Sequence, residues 1–568
     1  MRTILNTKCP YCKKPAKEKN REEIDGEIWL NLECGHIIVK DMLKPEDIQI
    51  VSSDGKVPFP FQHSPTGLFT LADGSTHEST VSFLERADCN GLCLHEMGLG
   101  KTVIECILLA RNPQLLPALI VVKSGLRAQW FMEIFRWTGK AAQVITSSRE
   151  LPLFDYFDIV IISIDTLRLV RPDVKVVSEF DMIVSENAGK KIGPRPIIWT
   201  DEICAKFKHI AIDESQKIKN SGSARTQALR KIVSASENQG GTKPRVICYS
   251  GTNIEKHAGE FFVTLNLTRP ELFPNESVYQ RAYCDIDPET GKIQGLRNPE
   301  RFKERTKDFI IRYKRDNVLP DLPKIFRQFR LAELEGGELQ AYIKVVKEFQ
   351  ERMDDPEHPM IPTEILGYLS KMRHITGIAK TKSALVFIEE FLLESERKLV
   401  IFLHHKMAGS ILMKDLEKLC REAAFNPPLQ LHSDLDMNQR VAVIEEFRKP
   451  GNRLLVASTL ASGEGLNLQF CQDCLIMERQ WNPAAEEQAE ARFPRPRPDD
   501  PWPPGARINA HYLIAAGTID DFLTDIIETK RSNVAQTLDG EEIQWNEDSI
   551  IAELAKVLQT KGLKKWKL

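Results

Sequence analysis

The sequence predicts an α/β protein with two lobes, each built around a parallel β-sheet, and a small N-terminal module. Its 568 residues are too many for one ordinary hydrophobic core and suggest about three or four domains. Two series of short apolar runs are separated by helix-length polar segments, whereas the first 45 residues carry spaced cysteines and a histidine. We therefore predict an N-terminal module at 1–45, a first lobe at 58–330, a helical connector at 331–358, a second lobe at 359–535 and a tail at 536–568.

The apolar runs are short and rich in β-branched residues, which is typical of central strands covered on both faces. The polar segments between them predict β–α–β units. In the first series the runs are Ala118–Val122, Phe157–Ile164, His209–Ile212 and Val246–Tyr249, and in the second they are Leu399–Leu403, Leu454–Ala457, Cys474–Met477 and Ile508–Ile514. Ligands bind at the carboxyl ends of such strands, so the polar residues after each run are the candidate site.

Charge and hydropathy narrow the class of protein. A net charge of −3 is not that of a protein that binds nucleic acid with its whole surface, but it does not exclude a basic groove. No apolar run reaches the roughly 18–20 residues that span a bilayer, and the N-terminus lacks a signal-peptide core. The sequence therefore predicts an intracellular protein of the cytoplasm, nucleoid or nucleus, without a membrane partner.

A phosphate-binding loop is the strongest single motif. HEMGLGKT, at His95–Thr102, follows a short apolar stretch and precedes a helix-like segment, which is the setting such a loop requires. Its backbone N–H groups and the helix N-terminus would face a phosphate, Lys101 would reach the β- and γ-phosphates, and Thr102 would bind Mg²⁺. His95 stands where the full pattern has Gly or Ala. The predicted nucleotide-binding residues of the loop are Gly98, Leu99, Gly100, Lys101 and Thr102.

An acidic pair, Asp213 and Glu214, follows the predicted strand His209–Ile212. Two carboxylates at a strand's carboxyl end suit metal-assisted phosphoanhydride hydrolysis. One of them, Asp213, would hold Mg²⁺ directly or through water, and Glu214 would orient or deprotonate the attacking water.

The ordered motifs resemble those of the Swi/Snf-type ATPases of helicase superfamily two. The resemblance rests on HEMGLGKT, on DESQKIKN at Asp213–Asn220 and on WNPAAEEQAEAR at Trp481–Arg492, and it covers roughly residues 58–535. Ser215 and Gln216 depart from the family's Ala-His. The resemblance implies two RecA-like lobes of the P-loop NTPase class with ATP between them, and a DNA-dependent ATPase that translocates on duplex DNA.

Further nucleotide contacts are implied by the resemblance alone. Gln62 would bond the adenine edge, Gly463 and Gln488 would line the nucleotide site, and Arg492 and Arg495 would face the γ-phosphate. The sequence QAEARFPRPRP has prolines where the family has an Ile-Gly-Gln-like turn. The sequence therefore leaves open whether Arg495, Arg497 or neither reaches the nucleotide.

The resemblance also implies DNA contacts with the backbone phosphates, independent of base sequence. They would come from turns after strands, also near Asp165–Thr166 and His432–Ser433. The predicted contact residues are Lys123, Ser124, His404, His405, Ser458 and Thr459.

A structural zinc site is predicted in the N-terminal module. Cys9, Cys12, Cys34 and His36 form a tetrahedral Zn²⁺ ligand set that resembles a zinc ribbon, which would bind DNA or a protein partner or only stabilise the module. The alternative is a set of reduced surface cysteines. A second Cys-x-x-Cys, at Cys471–Cys474, has no spaced partner pair and is predicted to be core cysteines.

Three functions remain open from the sequence. The motifs favour an ATP-dependent DNA translocase with ATP, Mg²⁺ and Zn²⁺ as cofactors. A strand-separating DNA or RNA helicase is the nearest alternative. The altered arginine turn motivates the third, a zinc-bearing nucleic-acid clamp that does not hydrolyse ATP, although Lys101, Thr102, Asp213 and Glu214 are intact.

Overall fold

The computed structural model forms two compact units, Met1–Pro320 and Asp321–Leu568. It describes residues 2–8, 15–24, 27–32, 37–39 and 48–536, apart from 72, 148–149, 168–198, 240, 252–257, 289–292, 354, 356, 359, 433, 436, 460–467, 482 and 498–499. Side chains are described from Ser52 onward. Within this described part, no helix is long and apolar enough to cross a membrane.

The first unit begins with a five-stranded antiparallel sheet in the order β4-β3-β2-β1-β5. The strands are β1 (Arg2–Lys8), β2 (Pro15–Ile24), β3 (Glu27–Leu32), β4 (Ile37–Val39) and β5 (Ile48–Val51). Because β5 pairs with β1, this sheet extends past residue 45, where the predicted module ended. The predicted zinc ligands Cys9, Cys12, Cys34 and His36 lie outside the described residues.

A seven-stranded parallel sheet forms the centre of the first unit, in the order β10-β11-β9-β12-β13-β8-β16. Two antiparallel hairpins, β6-β7 and β14-β15, lie outside it. The strands are β6 (Leu68–Thr70), β7 (Thr76–Glu78), β8 (Gly91–Cys93), β9 (Ala118–Val122), β10 (Gln143–Ile145), β11 (Ile159–Ser163), β12 (His209–Ile212), β13 (Arg245–Tyr249), β14 (Cys284–Ile286), β15 (Ile293–Leu296) and β16 (Ile310–Ile311).

Helices cover both faces of this sheet. They are α1 (Thr80–Arg86), α2 (Lys101–Arg111), α3 (Arg127–Thr138), α4 (Ile164–Leu167), α5 (Asp201–Cys204), α6 (Ala224–Asn238), α7 (Phe261–Thr268), α8 (Glu276–Tyr283), α9 (Pro299–Thr306) and α10 (Arg315–Val318). Leu119 and Val121 of β9 pack in one hydrophobic core, whereas Ala118, Ile120 and Val122 pack in the core on the opposite face. This alternation explains why a doubly covered strand is apolar at every position.

The second unit contains a six-stranded parallel sheet in the order β17-β22-β21-β18-β20-β19. Its strands are β17 (Lys324–Ala332), β18 (Leu399–Leu403), β19 (Leu429–Leu431), β20 (Leu454–Ser458), β21 (Asp473–Ile476) and β22 (Arg507–Ala515). Its helices are α11 (Gly336–Met353), α12 (Pro362–Glu394), α13 (Lys406–Glu422), α14 (Met437–Arg448), α15 (Pro483–Glu490) and α16 (Ile519–Gln536). The two predicted parallel-sheet lobes are therefore confirmed.

Strand β17 marks the passage between the units. The sequence placed residues up to 330 in the first lobe, whereas β17 pairs with β22 along its whole length and is an edge strand of the second sheet. Most of its residues are exposed, so its polar and apolar pattern does not indicate which sheet it joins. Cys471 and Cys474 are buried free thiols, as predicted.

Candidate functional site

The phosphate loop lies between β8 and α2 in the first unit. Gly98 and Gly100 have positive φ angles of 87° and 69°, which favour glycine because it has no Cβ. Gly100 is also the N-cap of α2, and a Cβ there would lie 2.3 Å from Nε2 of Gln62. The close approach and the left-handed backbone together explain both glycines, and the N-terminus of α2 points its dipole at a bound anion.

Lys101 is the first residue of α2, and its ammonium folds back over the loop. Its Nζ donates to the carbonyl oxygens of His95, at 3.0 Å, and of Glu96, at 3.3 Å. A Cβ on Gly251 would lie 3.5 Å from this Nζ and 2.8 Å from Cγ of Met97. The residue after Ser250 therefore lies directly against the loop, and the Lys101 ammonium can exchange carbonyl partners for phosphate oxygens without leaving the site.

Gln62, the predicted adenine contact, is buried and bonded to the phosphate loop. Its Nε2 donates to the carbonyl of Leu99 at 2.9 Å, and the Phe59 N–H donates to its Oε1 at 3.0 Å. In this structure both ends of the amide thus have protein partners. The segment that would read the base is linked to the loop that would bind the phosphates.

His95 shows how the loop accommodates a departure from the usual Gly or Ala. The Tyr313 N–H donates to its Nδ1 at 3.0 Å, so the ring proton is on Nε2, which donates to Oγ1 of Thr80 at 2.7 Å. The Thr80 hydroxyl in turn donates to the carbonyl of Phe61 at 2.8 Å. Burial, and then the charge of Lys101, lower the pKa of His95 to about 3. A neutral imidazole therefore supports the loop from behind.

The acidic pair lies at the carboxyl end of β12. The indole N–H of Trp130 donates to Oδ2 of Asp213 at 3.0 Å, and the Glu214 N–H donates to its Oδ1 at 2.9 Å. Burial, and then the charge of Glu214, raise the pKa of Asp213 to about 6. A divalent cation at this carboxylate would favour its ionised form. Glu214 itself has a φ of 52°, in the left-handed region.

Gln216, the departure from the family's His, connects the acidic pair to the next strand. Its Nε2 donates to Oε2 of Glu214, and the hydroxyl of Ser250 donates to its Oε1 at 2.8 Å. Ser250 directly follows β13, which lies between β12 and β8 in the sheet. Hydrogen bonds thus join Glu214, Gln216 and Ser250, and the next residue, Gly251, lies beside Lys101.

The donor set suits Mg²⁺ with a nucleotide. Asp213 offers a buried carboxylate held only by uncharged donors, and Thr102 offers a hydroxyl in the first turn of α2. Mg²⁺ is usually bound by one or two protein oxygens together with water and substrate phosphates. Among the described residues, no group of three or more His, Cys, Asp or Glu side chains could hold a metal. Asp213 and Thr102 are thus the residues that would hold Mg²⁺ together with the phosphates of a nucleotide.

In the second unit, α15 carries Gln488 and leads to the two predicted arginines. The helix is held by ion pairs to two of its buried glutamates. Arg479 bonds both carboxylate oxygens of Glu486 at 3.0 Å, and Arg327 bonds those of Glu490 at 2.9 and 2.6 Å. The two glutamates lie one turn apart, so both turns of the helix are anchored from the same side.

The proline-rich turn after α15 is ordered by local bonds. The Arg495 N–H donates to the carbonyl of Phe493 at 2.8 Å, and the indole of Trp502 donates to the carbonyl of Arg495 at 2.7 Å. Arg497 forms an ion pair with Asp500 and stacks on Trp502, 4.3 Å from the ring centroid. Arg497 is therefore engaged within the turn.

Arg495 lies close to a second guanidinium. Burial, and then the charge of Arg492, lower the pKa of Arg495 to about 9. Two neighbouring guanidiniums form a receptor for an oxyanion, because phosphate oxygens relieve their repulsion and accept their hydrogen bonds. Gly463, the remaining predicted nucleotide contact, lies outside the described residues.

The residues predicted to contact DNA in the first unit lie together at the carboxyl ends of two neighbouring strands. Lys123 and Ser124 follow β9, and Asp165 follows the neighbouring β11. The Ser124 hydroxyl donates to Oδ2 of Asp165 at 3.4 Å, and both residues are exposed. The structure thus brings two of the turns that were predicted to contact DNA next to each other.

The corresponding residues of the second unit also lie together. His404 and His405 follow β18, Ser458 ends the neighbouring β20, and the Thr459 hydroxyl donates to the carbonyl of Leu403 at 3.2 Å. The backbone N–H groups of both histidines and Nδ1 of His405 donate to Glu478. His432, at the carboxyl end of the edge strand β19, forms an ion pair of 3.8 Å with Asp434. Ser433 lies outside the described residues.

Sequence reasoning missed the side chains that hold the site residues in place. Thr80 and Tyr313 fix the His95 ring, Trp130 bonds Asp213, and Glu478 fixes the two histidines. None of them lies next to its partner in the chain. A hydrogen bond between two polar side chains that are far apart in the sequence can be seen only in the folded chain.

Comparison with known proteins places these features in a family. The SNF2-related domain family matches residues 77–380, and the helicase conserved C-terminal domain matches 382–497. The human protein named DNA annealing helicase and endonuclease ZRANB3 is 25% identical over 476 residues, which are 81% of this chain and 40% of that protein. A Xenopus laevis protein, the SWI/SNF-related matrix-associated actin-dependent regulator of chromatin subfamily A-like protein 1, is 26% identical over 467 residues, or 79% and 42%.

This chain thus spans about two fifths of the length of these relatives. A solved structure described as the Sulfolobus solfataricus SWI2/SNF2 ATPase core in complex with dsDNA aligns over 92% of this chain and 98% of its own, at 19% identity. The TM-score of this alignment is 0.36.

Proposed function

The chain belongs to the SNF2-related family, whose helicase-like members are DNA-dependent ATPases, and we propose that it hydrolyses ATP while translocating on duplex DNA. One observation carries the proposal. Hydrogen bonds from Ser250 through Gln216 reach Glu214, the proposed general base, and Gly251, the next residue after Ser250, lies beside Lys101 of the phosphate loop. These groups come from adjacent parallel strands and lie at the carboxyl ends of the strands, where α/β proteins bind ligands.

The residues divide the chemistry of hydrolysis among them. The loop N–H groups and Lys101 bind the phosphates, Thr102 and Asp213 hold Mg²⁺, and Glu214 accepts a proton from the attacking water. Mg²⁺, when bound, neutralises the charge that develops on the phosphate oxygens. Gln216 keeps the Glu214 carboxylate in one orientation through a neutral amide. Gln62 holds the loop and, as the resemblance implies, contacts the base.

Arg492 and Arg495 supply positive charge to the γ-phosphate in this proposal. The lowered pKa of Arg495 supports it, because the charge of Arg492 acts on Arg495 and a phosphate group would offset the repulsion between two guanidiniums. Since these arginines and the phosphate loop belong to different units, hydrolysis would depend on the approach of the units. That dependence is what couples ATP chemistry to movement along a bound polymer.

Duplex DNA is the proposed track. Both units present short polar turns at strand ends, with Lys123 and Ser124 in the first and the His404–His405 pair in the second. Such turns suit phosphate oxygens rather than base edges, so affinity should not depend on base sequence and should fall as salt rises.

Steady-state ATP hydrolysis with no nucleic acid, duplex DNA, single-stranded DNA or RNA tests the proposal. We expect duplex DNA to stimulate hydrolysis most. Glu214→Gln should lower the rate of ATP hydrolysis by a factor of about 10²–10⁴ while ATP still binds, because the substitution removes only the general base. Processive unwinding of a tailed duplex would favour a strand-separating helicase. Binding of ATP and DNA without any hydrolysis would favour a clamp.

We also propose, from the sequence alone, that Cys9, Cys12, Cys34 and His36 hold a structural zinc ion. Metal analysis of the purified chain tests this, with Cys9→Ser and Cys12→Ser as variants that should lose the zinc. A zinc-free wild-type chain purified without chelator would contradict it.

A further inference from the structure

Trp130 makes a contact that the predicted reaction does not yet explain. It lies on α3, is almost fully buried, and donates its indole N–H to Oδ2 of Asp213 at 3.0 Å. The Glu214 N–H holds Oδ1 of the same carboxylate at 2.9 Å. Both oxygens of the carboxylate therefore receive one directional bond each, from two different parts of the first unit.

An ordinary core tryptophan accounts for only part of this observation. The ring packs in the hydrophobic core on one face of the sheet, beside Ile134 and Ile161, and that packing would stabilise any large apolar side chain. A buried indole N–H needs an acceptor, but a backbone carbonyl satisfies it as well as a carboxylate does. The acceptor here is the carboxylate that is proposed to hold Mg²⁺.

The geometry of a cation site explains why such a bond matters. Mg²⁺ requires near-ideal octahedral geometry, so a ligand that rotates binds it poorly. Side chains that bond to a metal ligand commonly fix its orientation, and their loss weakens metal affinity. A neutral donor does this without placing a positive charge beside the cation. Trp130 meets these requirements.

We propose that Trp130 is a positioning residue that orients the Asp213 carboxylate for Mg²⁺ bound with a nucleotide. The inference rests on the proposed ATPase function. The helix α3 that carries Trp130 begins directly after the turn with Lys123 and Ser124, so the same helix adjoins a proposed DNA contact.

The chain offers a matched control on the same helix. Trp137 is also buried, packs in the same core, and donates its indole N–H to Oε2 of Glu133 at 3.0 Å. Glu133 lies away from the acidic pair in the chain and has no proposed metal role. Trp130→Phe and Trp137→Phe therefore remove the same kind of bond, one to a proposed metal ligand and one to a structural carboxylate.

The experiment measures binding of a fluorescent ADP analogue to the full chain as Mg²⁺ is titrated, and again in EDTA. Trp130→Phe should need about tenfold more Mg²⁺ for half-maximal tight binding, the size expected for one lost bond to a charged group. Its affinity in EDTA should equal that of the wild type, which also shows that the variant is folded. Trp137→Phe should match the wild type in both conditions.

A double-mutant cycle completes the test. In an Asp213→Asn background, Trp130→Phe should change the Mg²⁺ dependence no further, because the carboxylate that it orients is gone. Wild-type Mg²⁺ dependence in Trp130→Phe, or an equal shift in Trp137→Phe, would overturn the inference and leave the ATPase proposal intact. A wild-type chain that binds no nucleotide with Mg²⁺ would instead overturn both.

Discussion

The residues around the phosphate loop in the first unit and helix α15 in the second unit are held in place by different kinds of contact. Around the loop, the contacts behind the site residues are neutral: the His95 ring, the Gln62 and Gln216 amides and the Trp130 indole. Helix α15 is instead held through two buried carboxylates, Glu486 paired with the buried Arg479 and Glu490 paired with the partly exposed Arg327.

The difference follows from what each region presents. In the proposed function, the phosphate loop and the acidic pair bind the nucleotide, which is a polyanion, together with a cation. A fixed charge behind these residues would compete with one of the two ligands or repel the other. Helix α15 leads to the two arginines proposed to face the nucleotide, and its buried glutamates hold the helix by pairing with Arg479 and Arg327. Breaking a buried ion pair by removing one partner costs about 3–5 kcal/mol, whereas one neutral hydrogen bond contributes about 1 kcal/mol. Helix α15 should therefore be more sensitive to the loss of one of these charges than the phosphate loop is to the loss of one of these neutral contacts.

The largest expected effect is on ATP hydrolysis, and it tests the arginines that follow α15. Arg495→Ala should lower ATP hydrolysis by about 10³–10⁵, the range measured for arginines that stabilise phosphoryl transfer in other enzymes, and leave ATP binding intact. Arg497→Ala is the control, because Arg497 already pairs with Asp500 and Trp502. Hydrolysis that falls with Arg497→Ala and survives Arg495→Ala would reverse the assignment.

The buried charges behind α15 give the next largest effect. Glu486→Gln should lower the free energy of unfolding by about 1.5–3 kcal/mol, because the buried Arg479 then keeps Glu528 as its remaining carboxylate partner. Glu487→Gln, one residue along, replaces an exposed carboxylate, and exposed ion pairs contribute at most about 1 kcal/mol. Chemical denaturation measures both. Equal losses would mean that the anchoring ion pairs are not what distinguishes the second unit.

Acidification should destabilise the protein because His95, behind the phosphate loop, stays neutral in the folded state. The folded pKa of His95 is about 3 and its unfolded pKa about 6.5, so only the unfolded state gains a proton as the pH falls below about 6.5. The free energy of unfolding should therefore fall with the pH, by about 2 kcal/mol between pH 7 and 5 from this group.

His95→Gln should show a shallower pH dependence of stability than the wild type, measured by denaturation at each pH. His358→Gln replaces an exposed histidine and is the control. An unchanged slope in His95→Gln would mean that the ring takes up a proton within the folded loop.

The smallest expected effect concerns the amide beside the general base. Gln216→Ala removes the bond to Glu214 and the link to Ser250, and should lower the rate at saturating ATP about tenfold without changing KM. Gln216→His, which restores the family's residue, should recover most of the rate. A rate within twofold of wild type in Gln216→Ala would show that Glu214 is held by other contacts.

The fold was largely predictable because the pattern of each central strand is local. Strands doubly covered by helices, such as Ala118–Val122 and Leu399–Leu403, are apolar at every position, and the structure places both at the centre of parallel sheets. The edge strand β17 was not predictable in the same way. Its side chains are mostly exposed, so the chain offers no local reason to assign it to one sheet or the other.

The sequence by itself determined the two parallel sheets, the phosphate loop and the acidic pair, because each depends on residues that are close in the chain. Only the tertiary structure decided what stands behind them. Gln216 reaches Ser250, Trp130 reaches Asp213 and Arg479 reaches Glu528, across separations from 34 to 83 residues. Such pairings depend on which side chains the sheets and helices bring within hydrogen-bond distance, and that follows from packing rather than from spacing along the chain.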